Sequence, residues 1–122
     1  MARRGATVAQ LFDEAELMAH VDNDVAFLAD TVQMLETDGP SLMVELKAAV
    51  AAGDAPAVGR TAHVLKGMIS NFCSPAVQTL AQDVEKAGKA GDGAGAAVAS
   101  AKLQPALEAL IVELAAVVRA RS

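Results

Sequence analysis

Residues 63–70 read HVLKGMIS and place an imidazole, a cation, a glycine and a hydroxyl at helical spacing. Lys66 and Gly67 follow His63 by about one helical turn, and Ser70 lies about two turns on. A neutral imidazole offers a ring nitrogen as a nucleophile at neutral pH. This segment is therefore where the sequence predicts chemistry.

On a helical wheel, His63 points about 140° away from the centre of the apolar stripe formed by its neighbours. That stripe has the 4-3-4-3 spacing of a buried helix face and comprises Val58, Ala62, Leu65, Ile69 and Phe72. The polar face holds His63, Lys66, Gly67 and Ser70, flanked by Arg60 and Asn71. We therefore expect His63 to be exposed. Because glycine in a helix interior costs about 1 kcal/mol relative to alanine, Gly67 indicates room for something that arrives from outside.

Other classes of function fit the same residues less well. A metal site needs three or four converging ligands, but no His, Asp or Glu stands three, four or seven residues after His63. A Ser–His hydrolase needs an orienting acid that the sequence does not place. A helical adaptor with an incidental surface histidine is the remaining alternative, and it predicts no acid-labile phosphate on the protein. The second histidine, His20, lies at a predicted helix end without a Lys-Gly pair beside it.

Apolar periodicity and capping residues predict six helical segments. They span about residues 13–20, 23–36, 40–52, 55–73 and 75–88, followed by a last helix that begins between 94 and 102 and ends near 120. The sequence TDGP is expected to separate the second segment from the third, because Gly39 suits a helix terminus and Pro40 a first turn. Pro105 either lies in the first turn of the last helix or kinks it.

Several amphipathic helices joined by short turns, with no strand pattern and no repeat, predict an all-α fold. We expect an antiparallel four-helix bundle with one or more additional short N-terminal helices. Residues 1–10 lack periodicity and are expected to be a flexible N-terminal arm, which leaves 11–122 as one bundle domain. The glycine-rich residues 87–97 lack the strand and the Gly-Lys-Ser/Thr of a phosphate-binding loop, so a flexible interhelical turn is expected there.

Composition and charge exclude several partners. The chain has 122 residues, of which 53% are hydrophobic, with three Phe and no Trp or Tyr, so one domain with an aliphatic core is expected. A net charge of -5 argues against nucleic acid, and the absence of a run of about eighteen apolar residues argues against a membrane span. The lone cysteine, Cys73, is expected to be a small buried residue in a reducing, cytoplasmic compartment.

The segment AHVLKG, residues 62–67, resembles the phosphorylation motif of histidine-containing phosphotransfer (HPt) domains of two-component phosphorelays. That motif is His-x-x-Lys-Gly, usually with Ala before the His and Leu before the Lys. The segments LFDEAELMAHVDND, AAGD and LAQDVEKAGKAGD follow in the family's order, so the resemblance covers nearly the whole chain. One departure is Cys73, where the family often has glycine.

The resemblance implies a role for each residue of the motif. His63 would be the phosphoacceptor, Lys66 the cation beside the phosphoryl group, and Gly67 the clearance for a receiver domain. Arg60, Ser70 and Asn71, which share or flank this face, are expected to help a partner dock.

The resemblance also implies partners and cofactors. The donor would be the aspartyl phosphate of a response regulator receiver domain, and another receiver would accept the group; a hybrid sensor histidine kinase is a further candidate partner. Neither a cofactor nor a metal is expected in this chain, because the Mg²⁺ and the acidic pocket belong to the receiver. Since no kinase catalytic segment follows the motif, we expect a monomeric phosphocarrier that does not autophosphorylate with ATP.

Overall fold

The computed structural model describes residues 11–122, and within that range every regular element is helical. The elements are α1 (Glu14–His20), α2 (Val25–Ala52), α3 (Ala55–Ile69), α4 (Pro75–Ala90) and α5 (Gly93–Arg121), with a 3₁₀ turn, Ser70–Phe72, after α3. The predicted all-α class is therefore confirmed. The predicted flexible arm, residues 1–10, lies outside the described residues.

Helices α2 to α5 form a four-helix bundle in which α3 packs against α2 and α4, while α5 closes the ring against α4 and α2. Only Gly53 and Asp54 connect α2 to α3, and only Gly91 and Asp92 connect α4 to α5. Connections this short make consecutive helices run antiparallel. The predicted antiparallel four-helix bundle with an additional short N-terminal helix, α1, is confirmed.

Aspartate carboxylates define where most of these helices begin. Each accepts a hydrogen bond from the backbone N–H three residues further on, which satisfies one of the donors that a helix start leaves unpaired. These N-caps are Asp13, Asp24, Asp54 and Asp92. At the other ends, Gly53 and Gly91 terminate α2 and α4 with φ of 67° and 69°, a conformation that glycine adopts without a side-chain clash.

The interior of the bundle is aliphatic, as the composition predicts. Fully buried leucines come from α1, α2, α3 and α5, and they are Leu17, Leu28, Leu35, Leu46, Leu65, Leu103, Leu107, Leu110 and Leu114. Helix α4 contributes smaller side chains, Val77, Ala81 and Val84. Across residues 11–122, no helix combines the length and the apolar character needed to cross a bilayer.

The predicted break at Gly39 and Pro40 is wrong, because α2 runs through both residues to Ala52. Gly39 is buried, and a Cβ there would lie 3.6 Å from the side chain of Leu107 on α5. Pro40 is exposed, so the helix carbonyl that loses its N–H partner faces water. Burial of one continuous apolar face on both sides of the proline offsets the local cost of keeping the helix intact.

Other predicted boundaries also need correction. Helix α4 does not end near Gly88 but continues to Ala90, and α5 begins at Gly93, earlier than predicted. The predicted flexible turn over residues 87–97 is therefore mostly helix, and only Gly91 and Asp92 lie between the two helices. Pro105 lies well inside α5 and not in its first turn. The α-helical part of the segment predicted as 55–73 ends at Ile69.

Candidate functional site

Helix α3 presents His63 to solvent because its opposite face is anchored in the core. The predicted apolar stripe is confirmed: Val58, Ala62, Leu65, Ile69 and Phe72 are all buried. Asp54 begins the helix by accepting a hydrogen bond from the N–H of Ala57. The side chain of His63 is 68% exposed, as the helical wheel predicts.

The imidazole of His63 is held by Glu85 of α4, a residue that is not predicted as part of the site from the sequence. Nδ1 of His63 lies 2.8 Å from Oε2 of Glu85. An ionised carboxylate can only accept hydrogen bonds, so Nδ1 must carry the proton and donate it. In the neutral ring, Nε2 then holds the free lone pair and is the nitrogen available as a nucleophile.

Lys66 also binds Glu85, through the other carboxylate oxygen. Its Nζ lies 2.7 Å from Oε1 of Glu85, and its side chain is only 27% exposed. Lys66 lies on the polar face of α3 that the helical wheel predicts, but its side chain is only partly exposed because it reaches along the protein surface toward α4. The ammonium group is thus fixed on the same carboxylate that orients the histidine ring.

Lys89 is a second cation at this site and is likewise not predicted from the sequence. It stands four residues after Glu85 on α4, and its Nζ lies 3.1 Å from Oε2 of Glu85, the oxygen that accepts from His63. With 72% of its side chain exposed, Lys89 can reach a group that arrives at His63. The sequence does contain a signal for Glu85. Residues 81, 84, 85 and 88 have the spacing of a buried helix face, and Glu85 is an acid at one of these buried positions.

The carboxylate of Glu85 is buried and carries a strongly perturbed pKa. The hydrogen bond from Lys66 is the main cause that lowers the pKa, from 4.5 to about 2; burial opposes this, and the hydrogen bonds from Lys89 and His63 add to the lowering. Glu85 is therefore ionised at any neutral or mildly acidic pH. A permanently charged acceptor keeps the Nδ1 proton of His63 in place.

The remaining predicted site residues lie around His63 on the exposed surface. A Cβ added to Gly67 would meet no heavy atom within 4 Å, so this glycine is not a packing contact of the bundle. Arg60 and Asn71 are exposed, as is Ser70, whose hydroxyl donates to the carbonyl of Gly67 at 2.6 Å. His20 is the last residue of α1.

Among residues 11–122, no three His, Cys, Asp or Glu side chains are grouped so that they could hold a metal ion. The described site consists of one imidazole, one buried carboxylate and two ammonium groups. Such a set can present a nucleophile beside positive charge, which suits an anionic group that is transferred to the ring.

Comparisons with known proteins bear on the family and on the fold. The family model described as Hpt domain matches residues 30–117, which include the whole of α3 and α4. Histidine-containing phosphotransfer protein B from Pseudomonas aeruginosa has a similar crystal structure, with a TM-score of 0.74 and 22% sequence identity over 93% of this chain and 97% of that one. At that identity the structural match bears on the fold alone. No curated protein sequence matches this chain.

Proposed function

This chain belongs to the Hpt domain family of phosphorelay phosphotransfer proteins, and we propose that it carries the phosphoryl group on His63. The observation that supports this assignment most directly is the exposed ring of His63 with Nδ1 bound to the buried Glu85. Hpt domain proteins are phosphocarriers and not kinases. We extend this to the present chain, which would depend on a phosphorylated partner and not on ATP.

The transfer uses the free lone pair of Nε2. Nε2 attacks the phosphorus of a receiver's aspartyl phosphate, an N–P bond forms while the acyl O–P bond breaks, and the aspartate leaves as a carboxylate. Nδ1 keeps its proton, so the phosphorylated ring acquires positive charge. The carboxylate of Glu85, 2.8 Å from Nδ1, neutralises that charge. The reverse reaction, attack by a receiver aspartate on the phosphohistidine, uses the same groups.

Two lysines stabilise the phosphoryl group during transfer. Lys66 and Lys89 both lie within hydrogen-bond distance of Glu85, which keeps them next to His63 in the resting protein. Phosphoryl transfer depends on positioning of the reacting groups and on stabilisation of the charge on the phosphate oxygens. The ammonium groups of the two lysines supply that charge stabilisation. The Mg²⁺ that such transfers need is assigned to the receiver partner.

The partner class follows from the family: Hpt domains interact with receiver domains or response regulators. We propose that the receiver approaches the exposed face of α3 and contacts Arg60, Gly67, Ser70 and Asn71. A hybrid sensor histidine kinase would be one source of such a receiver. We further propose that the protein acts as a monomer in the cytoplasm, where response regulators work.

Substitution of His63 tests the assignment directly. His63→Gln should abolish phosphorylation by a phosphorylated receiver and by the small donor phosphoramidate, because glutamine offers no nucleophilic ring nitrogen. Circular dichroism should show unchanged helicity, since the side chain is exposed. The matched control is His20→Gln, which should accept phosphate like the parent.

Two results would contradict the assignment. One is label that remains on His63→Gln, and the other is label on the parent that survives acid, because phosphohistidine is acid-labile. Absence of any label on the parent with both donors would favour the adaptor alternative.

A further inference from the structure

Glu85 accepts hydrogen bonds from three groups at once, and one of them is the ring of the proposed phosphoacceptor. Its Oε2 accepts from Nδ1 of His63 at 2.8 Å and from Nζ of Lys89 at 3.1 Å, while its Oε1 accepts from Nζ of Lys66 at 2.7 Å. Only 5% of the Glu85 side chain is exposed. Two lysines therefore hold the carboxylate against the inner edge of a ring whose outer edge faces solvent.

The proton on Nδ1 decides how easily a phosphorylated His63 gives up its phosphoryl group. When the bond between Nε2 and phosphorus breaks, its electron pair returns to Nε2, and the phosphoryl group passes to a receiver aspartate or to water. With a proton on Nδ1, the ring leaves as neutral imidazole, a good leaving group. Without that proton it must leave as an imidazolate anion, a poor one. An ordinary imidazolium loses a proton at about pH 6.5, so above this pH an unassisted phosphohistidine becomes less reactive.

The charges near His63 favour retention of the Nδ1 proton once the phosphoryl group is attached. Arg60 and Lys66 on α3 and Glu85 and Lys89 on α4 are the charged side chains on this side of the bundle within the described chain. The groove between α2 and α3 contains acidic residues, but His63 does not line it. A phosphoryl group brings about two negative charges near neutral pH, which the two lysines balance. The positive ring then has the Glu85 carboxylate as its direct partner.

A carboxylate holds this proton in a way that an amide cannot. An ionised carboxylate only accepts hydrogen bonds, so it favours the ring in which Nδ1 is protonated. An amide has one accepting oxygen and one donating NH₂ group, so it can bind Nδ1 with or without the proton. A glutamine at position 85 would also offer a single accepting oxygen to the ring and the two lysines. The negative charge of Glu85, and not only its hydrogen bond, is thus what retains the proton.

We propose that Glu85 is a positioning residue that keeps phosphorylated His63 in its reactive form, with Nδ1 protonated, well above neutral pH. The same contact then sets two properties of the phosphohistidine, a fast transfer to a receiver aspartate and a short lifetime against hydrolysis. In hydrolysis, water forms the new O–P bond as the N–P bond breaks, both protons of the water leave with inorganic phosphate, and the Nδ1 proton stays on the ring. This inference rests on the proposed function, because it takes His63 as the phosphoacceptor.

The rate of hydrolysis at two pH values tests the proposal. The parent, Glu85→Gln and the control Asp83→Asn are phosphorylated with phosphoramidate, freed of the donor and followed at pH 6 and pH 8.5 without a receiver. Asp83 is exposed and lies on another face of the same helix, so its substitution removes the same charge from α4 away from the ring. The parent and Asp83→Asn should lose the label at similar rates at both pH values. Glu85→Gln should lose it about tenfold more slowly at pH 8.5 than at pH 6.

A merely structural role of Glu85 would not produce this profile. The pKa of Glu85 is about 2, so its carboxylate stabilises the fold equally at pH 6 and at pH 8.5. Any loosening of the fold in Glu85→Gln therefore changes both rates alike. Equal pH profiles for Glu85→Gln and the parent would overturn the proposal while leaving His63 as the acceptor. Failure of phosphoramidate to label the parent would instead contradict the proposed function, and this inference with it.

A measurement that keeps Glu85 in place covers the case in which Glu85→Gln does not fold. Nitrogen NMR of the phosphorylated protein reports whether Nδ1 of His63 carries a proton. The chain has two histidines, so a His20→Gln background leaves the signals of His63 alone. We expect a protonated Nδ1 at pH 8.5, and a phosphorylated ring without that proton at pH 8.5 would overturn the proposal.

Discussion

Gly67 and Gly88 both occupy helix interiors near His63, yet their surroundings are opposite. The missing Cβ of Gly67 points into open space, whereas that of Gly88 would lie 2.7 Å from the backbone of Gly59 and 3.0 Å from the side chain of Val58. Glycine costs each helix about 1 kcal/mol relative to alanine. At Gly88, close packing of α3 on α4 offsets that cost. At Gly67 nothing within the described chain does, which supports the proposal that this glycine leaves room for an approaching receiver.

The contact at Gly88 also determines the geometry of the site. Glu85 precedes Gly88 by three residues and therefore lies on the same side of α4, facing α3. The distance between the two helices at Gly88 thus controls how closely the carboxylate approaches His63 and Lys66. Gly67 has no such connection to Glu85. Substitutions at the two glycines should therefore differ both in stability and in their effect on the carboxylate.

The largest effect is expected for Gly88→Ala. Its methyl group would overlap backbone atoms of α3, and overpacking of this kind costs about 1–3 kcal/mol of the free energy of unfolding. Urea denaturation at neutral pH measures the loss, with Gly67→Ala as the control. The helix separation that relieves the overlap should also slow transfer from a receiver. A Gly88→Ala protein as stable as the parent would show that the two helices are not in close contact.

A smaller and pH-dependent effect is expected for Glu85→Gln. The pKa of Glu85 in the folded protein is about 2, below its ordinary 4.5, so the ionised carboxylate stabilises the fold above about pH 4.5 and this contribution is lost as the pH falls toward 2. The parent should therefore be more stable than Glu85→Gln at pH 6, and the difference should shrink steadily on acidification. Urea denaturation of both proteins between pH 6 and pH 2 measures it.

The two glycines sharpen this test. Gly67→Ala should keep the acid dependence of the parent, because it leaves Glu85 untouched, whereas Gly88→Ala should reduce it by moving the carboxylate away from Lys66. If Glu85→Gln and the parent lose stability in parallel from pH 6 to pH 2, Glu85 is not the acid-sensitive group.

The sequence could predict the features that depend on one helix at a time. The exposure of His63 and the burial of Val58 and Leu65 follow from periodicity alone. Contacts between helices could not be predicted in the same way. The pairing of His63 with Glu85 joins residues 22 positions apart and depends on the rotation of α4 about its axis.

The same distinction explains why the sequence predicts helix ends at two wrong places. Gly39 and Gly88 are predicted as helix ends because glycine and proline signal termini locally. In the structure both are buried in helix interiors, where tertiary packing on α5 and α3, respectively, keeps the helix intact. Gly67, which contacts no neighbouring helix, could be placed correctly on the exposed face from the helical wheel.

For Gly67 itself, we expect function and stability to change in opposite directions. Gly67→Ala should raise the free energy of unfolding by up to about 1 kcal/mol through helix propensity, since the added methyl meets no neighbour. Gly67→Leu should remain folded but should slow phosphoryl transfer from a receiver, because a large side chain one turn from His63 holds the partner away. Thermal melts and transfer rates on the same two variants measure both quantities. Unfolding of either variant would show that Gly67 is a packing contact of the bundle. It would contradict the proposal that this glycine leaves room for a receiver.

The smallest effect is expected for substitution of Cys73. This position tests whether the backbone conformation, and not only the available space, can favour glycine. Cys73 ends the 3₁₀ turn after α3 with φ of 54°, a left-handed conformation that costs a residue with a side chain about 1–2 kcal/mol. This explains why glycine, frequent at this position in the family that the motif resembles, fits here. Burial, together with the charges of Glu16 and Asp13, raises the pKa of the thiol, so the side chain is neutral and half-buried. Its removal should therefore eliminate only weak interactions.

Cys73→Gly should therefore stabilise the protein, but by only about 0.5 kcal/mol, because glycine also gains conformational freedom in the unfolded chain and the contact of the sulfur is lost. The measurement is urea denaturation of Cys73→Gly beside Cys73→Ala, which removes the sulfur and keeps the strained backbone. The alanine variant should be no more stable than the parent, so the difference between the two variants isolates the backbone contribution. If Cys73→Ala matches Cys73→Gly in stability, the left-handed backbone conformation at residue 73 costs nothing, and the explanation for glycine at this position is wrong.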